Sequence, residues 1–250
     1  MMWDLSGRVA LVTGGNGGIG LGMAKALAAN GAALAITGRN AAKNEAAAKE
    51  LPGQTLVIEA DLTAKGAHER VLDEVRNRHG RLDILVNNAG TNIRKRPEEV
   101  TDADWETVLD TNLGSLMRMT RGAYPMLKQH RVGRVINIGS ILSIFGMPFS
   151  PAYGASKGAV VQYTKSLATA WAAEGITVNA VLPGWIETEL TDGARATVPG
   201  LYERQAARTP MGRWGKPDDL GGIAAFLASD AAGFVTGTAI PVDGGFAAMG

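Results

Sequence analysis

Short apolar runs recur along this chain, and each stops at a glycine, a proline, an asparagine, an aspartate or a serine. Arg8-Val-Ala-Leu-Val-Thr13 stops at Gly14, Ala32 to Thr37 at Gly38, Thr55 to Ala60 at Asp61, and Leu82 to Asn87 at Asn88-Ala89-Gly90. Val132 to Gly139 stops at Ser140, Thr177 to Leu182 at Pro183-Gly184, and Thr238 to Val242 at Asp243. A strand buried on both faces reads as such a continuous run, without alternation. Helical stretches separate the runs at roughly 25–30-residue intervals over the first half, which implies a parallel sheet with helices on both faces, an α/β domain. Ligands in such sheets bind outside the carboxyl ends of the strands. Gly14, Arg39, Asp61 and Asn87 all fall on that edge.

The 250 residues suit one α/β domain, read here as residues 1–250. A formal net charge of +1 gives no reason to expect nucleic acid or an anionic membrane surface as partner. With no cysteine there is no disulfide, no thiolate chemistry and no Cys-based metal site. His68, His79 and His130 show no ligand spacing, so no metal is expected. The amino terminus lacks a leader pattern and no apolar run approaches the ~18 residues of a membrane span. The expectation is a soluble, cytoplasmic protein acting on a small molecule.

Gly14-Gly-Asn-Gly-Gly-Ile-Gly20 follows the first run, and Leu21, Ala24, Leu27 and Ala28 then recur at helical spacing up to Asn30-Gly31. Strand, glycine turn and helix together are what a pyrophosphate needs: close backbone approach and a helix N-terminus. Two registers fit, Gly15-x-Gly17-x-x-Gly20 and Thr13-Gly14-x-x-x-Gly18-x-Gly20. At the end of the second run, where a carboxylate would hold the ribose 2′-hydroxyl of NAD, the residues are Gly38-Arg39-Asn40. Nothing there repels a 2′-phosphate and Arg39 can pair with one. NADP(H) is favoured, with NAD(H) as the alternative.

Ser150-Pro-Ala-Tyr153-Gly-Ala-Ser-Lys157 reads as a helix start, with Ser150 as cap and Pro151 in the first turn. Tyr153 and Lys157 then share a face, with Cβ atoms roughly 5–6 Å apart. A phenol with pKa near 10 is a poor acid–base group at neutral pH, and a fixed ammonium lowers that pKa. The pair suits proton transfer to or from an alcohol oxygen.

These motifs together resemble the short-chain dehydrogenase/reductase family, over nearly the whole chain. The landmarks are Thr13-Gly14-x-x-x-Gly18-x-Gly20, Asn87-Asn88-Ala89-Gly90, Asn112, Ser140, Tyr153-x-x-x-Lys157, Pro183-Gly184 and Val242-Asp243-Gly244-Gly245. The resemblance selects the Gly14/Gly18/Gly20 register and implies a single-domain Rossmann fold with a doubly wound, seven-stranded parallel sheet. It implies a catalytic set of Asn112, Ser140, Tyr153 and Lys157. Tyr153 would be the general acid or base and Ser140 would hold the substrate oxygen. Lys157 would bind the nicotinamide ribose and depress the tyrosine pKa. Asn112 would organise a helix distortion and a water. The implied cofactor contacts are Gly14, Asn16, Gly18, Ile19, Gly20, Arg39, Asp61, Leu62, Asn88, Ala89, Gly90, Tyr153, Lys157, Pro183, Gly184, Ile186 and Thr188. Members of the family are commonly tetramers, so a homo-oligomer is expected.

On the substrate side, residues 187–213 carry Gly193, Pro199, Gly200 and Pro210 and show no clear strand, which reads as an irregular lid. Arg94, in the basic loop Arg94-Lys95-Arg96, is a candidate for an anionic substrate; Leu142 and Trp185 are further substrate candidates beside Ser140 and Tyr153. Asn88-Ala-Gly-Thr-Asn-Ile-Arg94 and Thr209-Pro-x-x-Arg213-Trp214-Gly are similar to sugar-acid dehydrogenases of the family, such as gluconate and deoxygluconate enzymes. The expected reaction is hydride transfer between nicotinamide and a secondary alcohol or ketone of a sugar acid or polyol. A 3-oxoacyl-thioester or cyclic-ketone reductase shares parts of the signature. A catalytically silent dinucleotide-binding sensor is the reading from another class.

Overall fold

The computed structural model describes residues 3–51 and 54–249. Seven strands form one sheet: β1 (Val9–Thr13), β2 (Ala33–Gly38), β3 (Leu56–Glu59), β4 (Ile84–Asn87), β5 (Arg134–Ile138), β6 (Thr177–Pro183) and β7 (Ala239–Val242). Their order is β3-β2-β1-β4-β5-β6-β7 and every pairing is parallel. Each expected run is a strand, shifted by a residue or two at its ends. Between them lie α1 (Gly18–Ala29), α2 (Ala41–Glu50), α3 (Ala67–His79), α4 (Asp102–Leu109), α5 (Ser115–Gln129) and α6 (Pro151–Trp171). After β6 come α7 (Glu189–Thr197), α8 (Leu201–Arg208) and α9 (Gly221–Ala228).

Alternate strand residues feed two separate cores, because successive side chains leave a strand on opposite faces. Ala10, Val12, Ile84, Val86, Ile136 and Ile138 meet Met23 and Leu27 of α1 and Leu227 of α9. Leu11, Leu85, Val135 and Val178 meet Val71 and Val75 of α3, Met119 of α5 and Leu167 of α6. The sheet is therefore covered on both sides, which is why its strands read as unbroken apolar runs.

Two local readings need correction. The segment read as an irregular lid is helical, since α7 and α8 occupy most of residues 187–213. Ala194, Leu201, Ala206 and Trp214, with Trp185 and Tyr202, build a third small core beneath it. Ser150 sits at the N-cap of α6, but its side chain makes no capping bond; its hydroxyl accepts from Asn92 Nδ2 at 3.1 Å.

The stretch from Asp102 to Gln129 is helical throughout, interrupted by a π-turn over Asp110–Gly114 with Asn112 at its centre. Such turns are rare and insert an extra residue into a helix. Among the described residues no helix is long and apolar enough to cross a membrane.

Candidate active site

The chain reverses its direction of winding between β1 and β4, and the two strand ends are tied together there. Thr13 Oγ1 accepts the backbone N–H groups of Asn88 at 2.9 Å and Ala89 at 3.1 Å. Asn88 Nδ2 donates back to Thr13 O and Gly14 O, both at 3.0 Å. Gly14 and Gly18 have φ of 62° and 48°, values that favour glycine. Gly20 does not face the cleft, contrary to its expected place among the cofactor contacts. A Cβ there would lie 2.2 Å from Gly14 O, so its role is to let α1 pack on the turn. The first turn of α1 carries no acidic residue and no side-chain cap. Its N–H groups are thus available to an anion.

From this turn a cleft of about 410 Å³ runs along the carboxyl edge of the sheet. Gly14, Asn16, Gly18, Ile19, Arg39, Asp61, Leu62, Asn88, Ala89, Gly90, Ser140, Tyr153, Lys157, Pro183, Gly184, Ile186 and Thr188 all line it. Arg39 is exposed and forms no ion pair among the described residues. Asp61 caps its own turn, accepting from Thr63 N at 3.0 Å and Thr63 Oγ1 at 2.7 Å. Those bonds, with Arg39 nearby, hold its carboxyl below the usual range. Asn16 is fixed by Asn44, whose Oδ1 accepts at 2.7 Å while its Nδ2 donates to Gly38 O at 2.9 Å.

At the other end, Lys157 Nζ donates to Ile138 O at 2.7 Å and lies 5.6 Å from the centre of the Tyr153 ring. Lys157 is only 4% exposed, and burial pushes its ammonium down to about 8. Burial pushes the Tyr153 phenol up, against the Ser140 hydroxyl and the Arg94 guanidinium, which both favour the ionised form. The expected depression of the tyrosine pKa by Lys157 is therefore not what this geometry produces; desolvation drives both groups toward neutrality. The Arg94 guanidinium also favours the tyrosinate, while Lys157 Nζ stands over the ring. The neighbours of Arg94 are already paired, Lys95 with Asp104 at 2.6 Å and Arg96 with Glu98 at 2.9 Å. Arg94 has no ion-pair partner among the described residues.

Asn112 stands behind the cleft wall. It is buried, accepts from Thr91 N at 2.7 Å, and donates to Thr91 O at 2.9 Å and Ser156 Oγ at 3.0 Å. Ser156 Oγ in turn donates to Tyr153 O at 2.7 Å, so the π-turn is tied to the helix that presents the tyrosine. Ser140 opens a 3-10 turn over Ile141–Ser143, and its Oγ accepts from Leu142 N at 3.1 Å.

Arg94, Leu142 and Trp185, expected as substrate contacts, are not among the residues that line the cleft, and Arg94 is exposed. Trp185 stacks at 5.2 Å on Trp214 in the small third core, where an aromatic side chain finds apolar cover. Leu142 contributes its backbone N–H to Ser140. Lys43, Asn44, Thr111, Ser115 and Glu189 are additions that sequence reasoning missed; all but Asn44 line the cleft. Lys43 and Asn44 lie in the first turn of α2, just after Arg39, a closeness in sequence that could have marked them.

A parallel sheet with a glycine turn and a Tyr–Lys pair at one edge, its lysine buried, defines a dinucleotide-dependent oxidoreductase architecture. The profile described as enoyl-(acyl carrier protein) reductase matches residues 14–247. The chain is 41% identical over 247 residues to 2-dehydro-3-deoxy-D-gluconate 5-dehydrogenase of Bacillus subtilis, covering 98% of this chain and 96% of that protein. It is 35% identical over 252 residues to a tropinone reductase homolog of Arabidopsis thaliana, covering 99% and 95%. A solved structure from Beutenbergia cavernae, designated a putative NAD(P)-dependent gluconate 5-dehydrogenase with NADP bound at low occupancy, superposes with a TM-score of 0.90 at 39% identity, covering 98% of each chain. The chain belongs to the short-chain dehydrogenase/reductase family, whose members are NAD(P)-dependent oxidoreductases.

Proposed function

We propose that this chain moves a hydride between NADP and a secondary alcohol or ketone of a sugar acid. The observation that carries the substrate class is Arg94, a guanidinium without an ion-pair partner among the described residues that acts on the Tyr153 phenol. An unpaired cation beside the proton-transfer group favours a substrate with a carboxylate. The names of the gluconate-type relatives point the same way. The thioester and cyclic-ketone readings keep the support of the matched profile and of the tropinone reductase homolog.

The residues present fit a dinucleotide. Gly17 has open space where a Cβ would stand, Gly14 and Gly18 have backbone angles that favour glycine, and the first turn of α1 has its N–H groups free of side chains. Gly14, Gly18 and Thr188 would hold the pyrophosphate, Arg39 the 2′-phosphate, Asp61 and Leu62 the adenine side, and Lys157 the nicotinamide ribose. The bound nicotinamide supplies or accepts the hydride. Ser140 donates a hydrogen bond to the substrate oxygen and Tyr153 Oη delivers or takes the proton there. A phenol is protonated at neutral pH, and burial favours that form here, which suits Tyr153 to act as an acid on a carbonyl. Asn112 and Ser156 hold the tyrosine's helix in place.

We take the chain to be a cytoplasmic homo-oligomer, a tetramer as is common in the family. The half-exposed apolar surface of Trp105, Leu109, Leu113, Met117 and Tyr163 on α4 to α6 is suited to a second copy. The substrate class is tested with Arg94→Ala. KM for carboxylate substrates is expected to rise about tenfold more than for neutral alcohols, as befits one charge-assisted contact. Equal effects on both would return Arg94 to the solvated surface.

A further inference from the structure

We propose that Lys43 is a second cation for a 2′-phosphorylated dinucleotide and that Glu189 of the lid is its alternative partner. Phosphate and lid then compete for one ammonium. The proposal rests on the reading of the cleft as an NADP site.

Lys43 lies in the first turn of α2, directly after the end of β2. Asn40 caps that turn, its side chain accepting from Lys43 N at 3.0 Å, so the lysine backbone is fixed relative to Arg39. Lys43 Nζ pairs with the carboxylate of Glu189, 146 residues further on and the first residue of α7. Lys43, Glu189 and Arg39 line the same cleft. The pair therefore spans from the nucleotide-specificity corner to the lid.

Both side chains are well exposed, 46% for Lys43 and 78% for Glu189. An exposed pair of this kind is held weakly and exchanges partners easily. A 2′-phosphate carries nearly twice the charge of a carboxylate and three acceptor oxygens, so it is the stronger claimant for Lys43. Once Lys43 turns to the phosphate, Glu189 is left unpaired near a dianion and is repelled. A ribose hydroxyl, as in NAD, carries no charge and leaves the pair intact. Recognition of the phosphate and release of the first turn of α7 become one event. Lys43 is thus a specificity residue, and its effect has a sign that depends on Glu189.

The test is calorimetric titration of the full chain with adenosine 2′,5′-bisphosphate and with 5′-AMP. Lys43→Ala is expected to weaken the bisphosphate about tenfold, and to leave 5′-AMP unchanged. Glu189→Gln is expected to strengthen the bisphosphate by about two- to fivefold, again without effect on 5′-AMP. Hydrogen exchange at the amides of residues 189–197 should rise with the bisphosphate and stay put with 5′-AMP. If Lys43→Ala affects both ligands equally or neither, while Arg39→Ala still weakens the bisphosphate, Arg39 alone reads the phosphate and the proposal falls with the NADP reading intact. If the wild type binds both ligands alike and Arg39→Ala changes nothing, the NADP reading itself fails and takes the proposal with it. Unchanged exchange in the lid with both ligands overturns the competition with Glu189.

Discussion

Gly20→Ala probes whether the glycine turn is built for packing or for ligand. The new methyl carbon would lie 2.2 Å from Gly14 O and 2.4 Å from Asn88 Nδ2, where ordinary contact begins near 3.4 Å. Neither neighbour is a flexible tip. One is backbone, and the other is the amide that holds Thr13 O and Gly14 O. The turn must retreat by about 1 Å, and overpacking of this kind costs about 1–3 kcal/mol. Losing one of the two Asn88 bonds adds about 1 kcal/mol. The expected loss of unfolding free energy is roughly 3 kcal/mol. Because Gly14 and Gly18 line the cleft, a shift of this size should also weaken NADP by about 10- to 100-fold. Gly17→Ala is the complement. Gly17 has an extended φ of 177° and nothing within 4 Å of the position a methyl would take, so the fold tolerates the change within about 0.5 kcal/mol. Only nucleotide affinity should fall, since that open space belongs to the cleft. Urea midpoints and NADP titrations of both variants separate the two effects. A Gly20→Ala protein as stable as wild type, or a Gly17→Ala protein that loses stability, would refute the division of labour within the turn.

Other outcomes follow from the same geometry. The folded pKa of Lys157, about 8, lies below its ordinary value of 10.5, so the unfolded chain binds the extra proton between the two. Stability of the cofactor-free protein should therefore rise by roughly 2 kcal/mol from pH 8 to 10, relative to Lys157→Met in the same buffers. A parallel course for the two proteins in denaturant titrations would count against the buried ammonium. Trp214→Ala removes a side chain that is 1% exposed and stacked at 5.2 Å on both Trp185 and Tyr202. The loss of about 3–5 kcal/mol exceeds what so small a core can bear. Residues 187–213 should become protease-sensitive while the sheet, whose two cores lie apart, keeps its urea midpoint.

The strands were legible because both faces of the sheet are covered, which leaves no polar alternation to confuse the pattern. That Tyr153 and Lys157 share a face was legible from helical spacing, while their roles came only from the family resemblance. Their electrostatics were not legible: Lys157 Nζ donates to Ile138 O, and a second cation, Arg94, bears on Tyr153 from a distant loop. Helices α7 and α8 escaped because Gly193, Pro199 and Gly200 interrupt the pattern, although Gly200 serves as the N-cap of α8 with φ 66°. Trp185 was misplaced because an aromatic at a strand end gives no sign of whether it faces a ligand or another tryptophan. The Lys43–Glu189 pair joins residues that only the folded topology brings together.

The most direct test of the account is nicotinamide absorbance during turnover, with NADP and NAD in parallel, on sugar acids, polyols, cyclic ketones and 3-oxo thioesters, for wild type and Tyr153→Phe. The wild type should turn over a sugar acid with NADP, and Tyr153→Phe should lose at least about 100-fold in rate while still binding NADP. Turnover by Tyr153→Phe at the wild-type rate would contradict the assignment of proton transfer to this tyrosine, and with it the chemistry derived for the cleft.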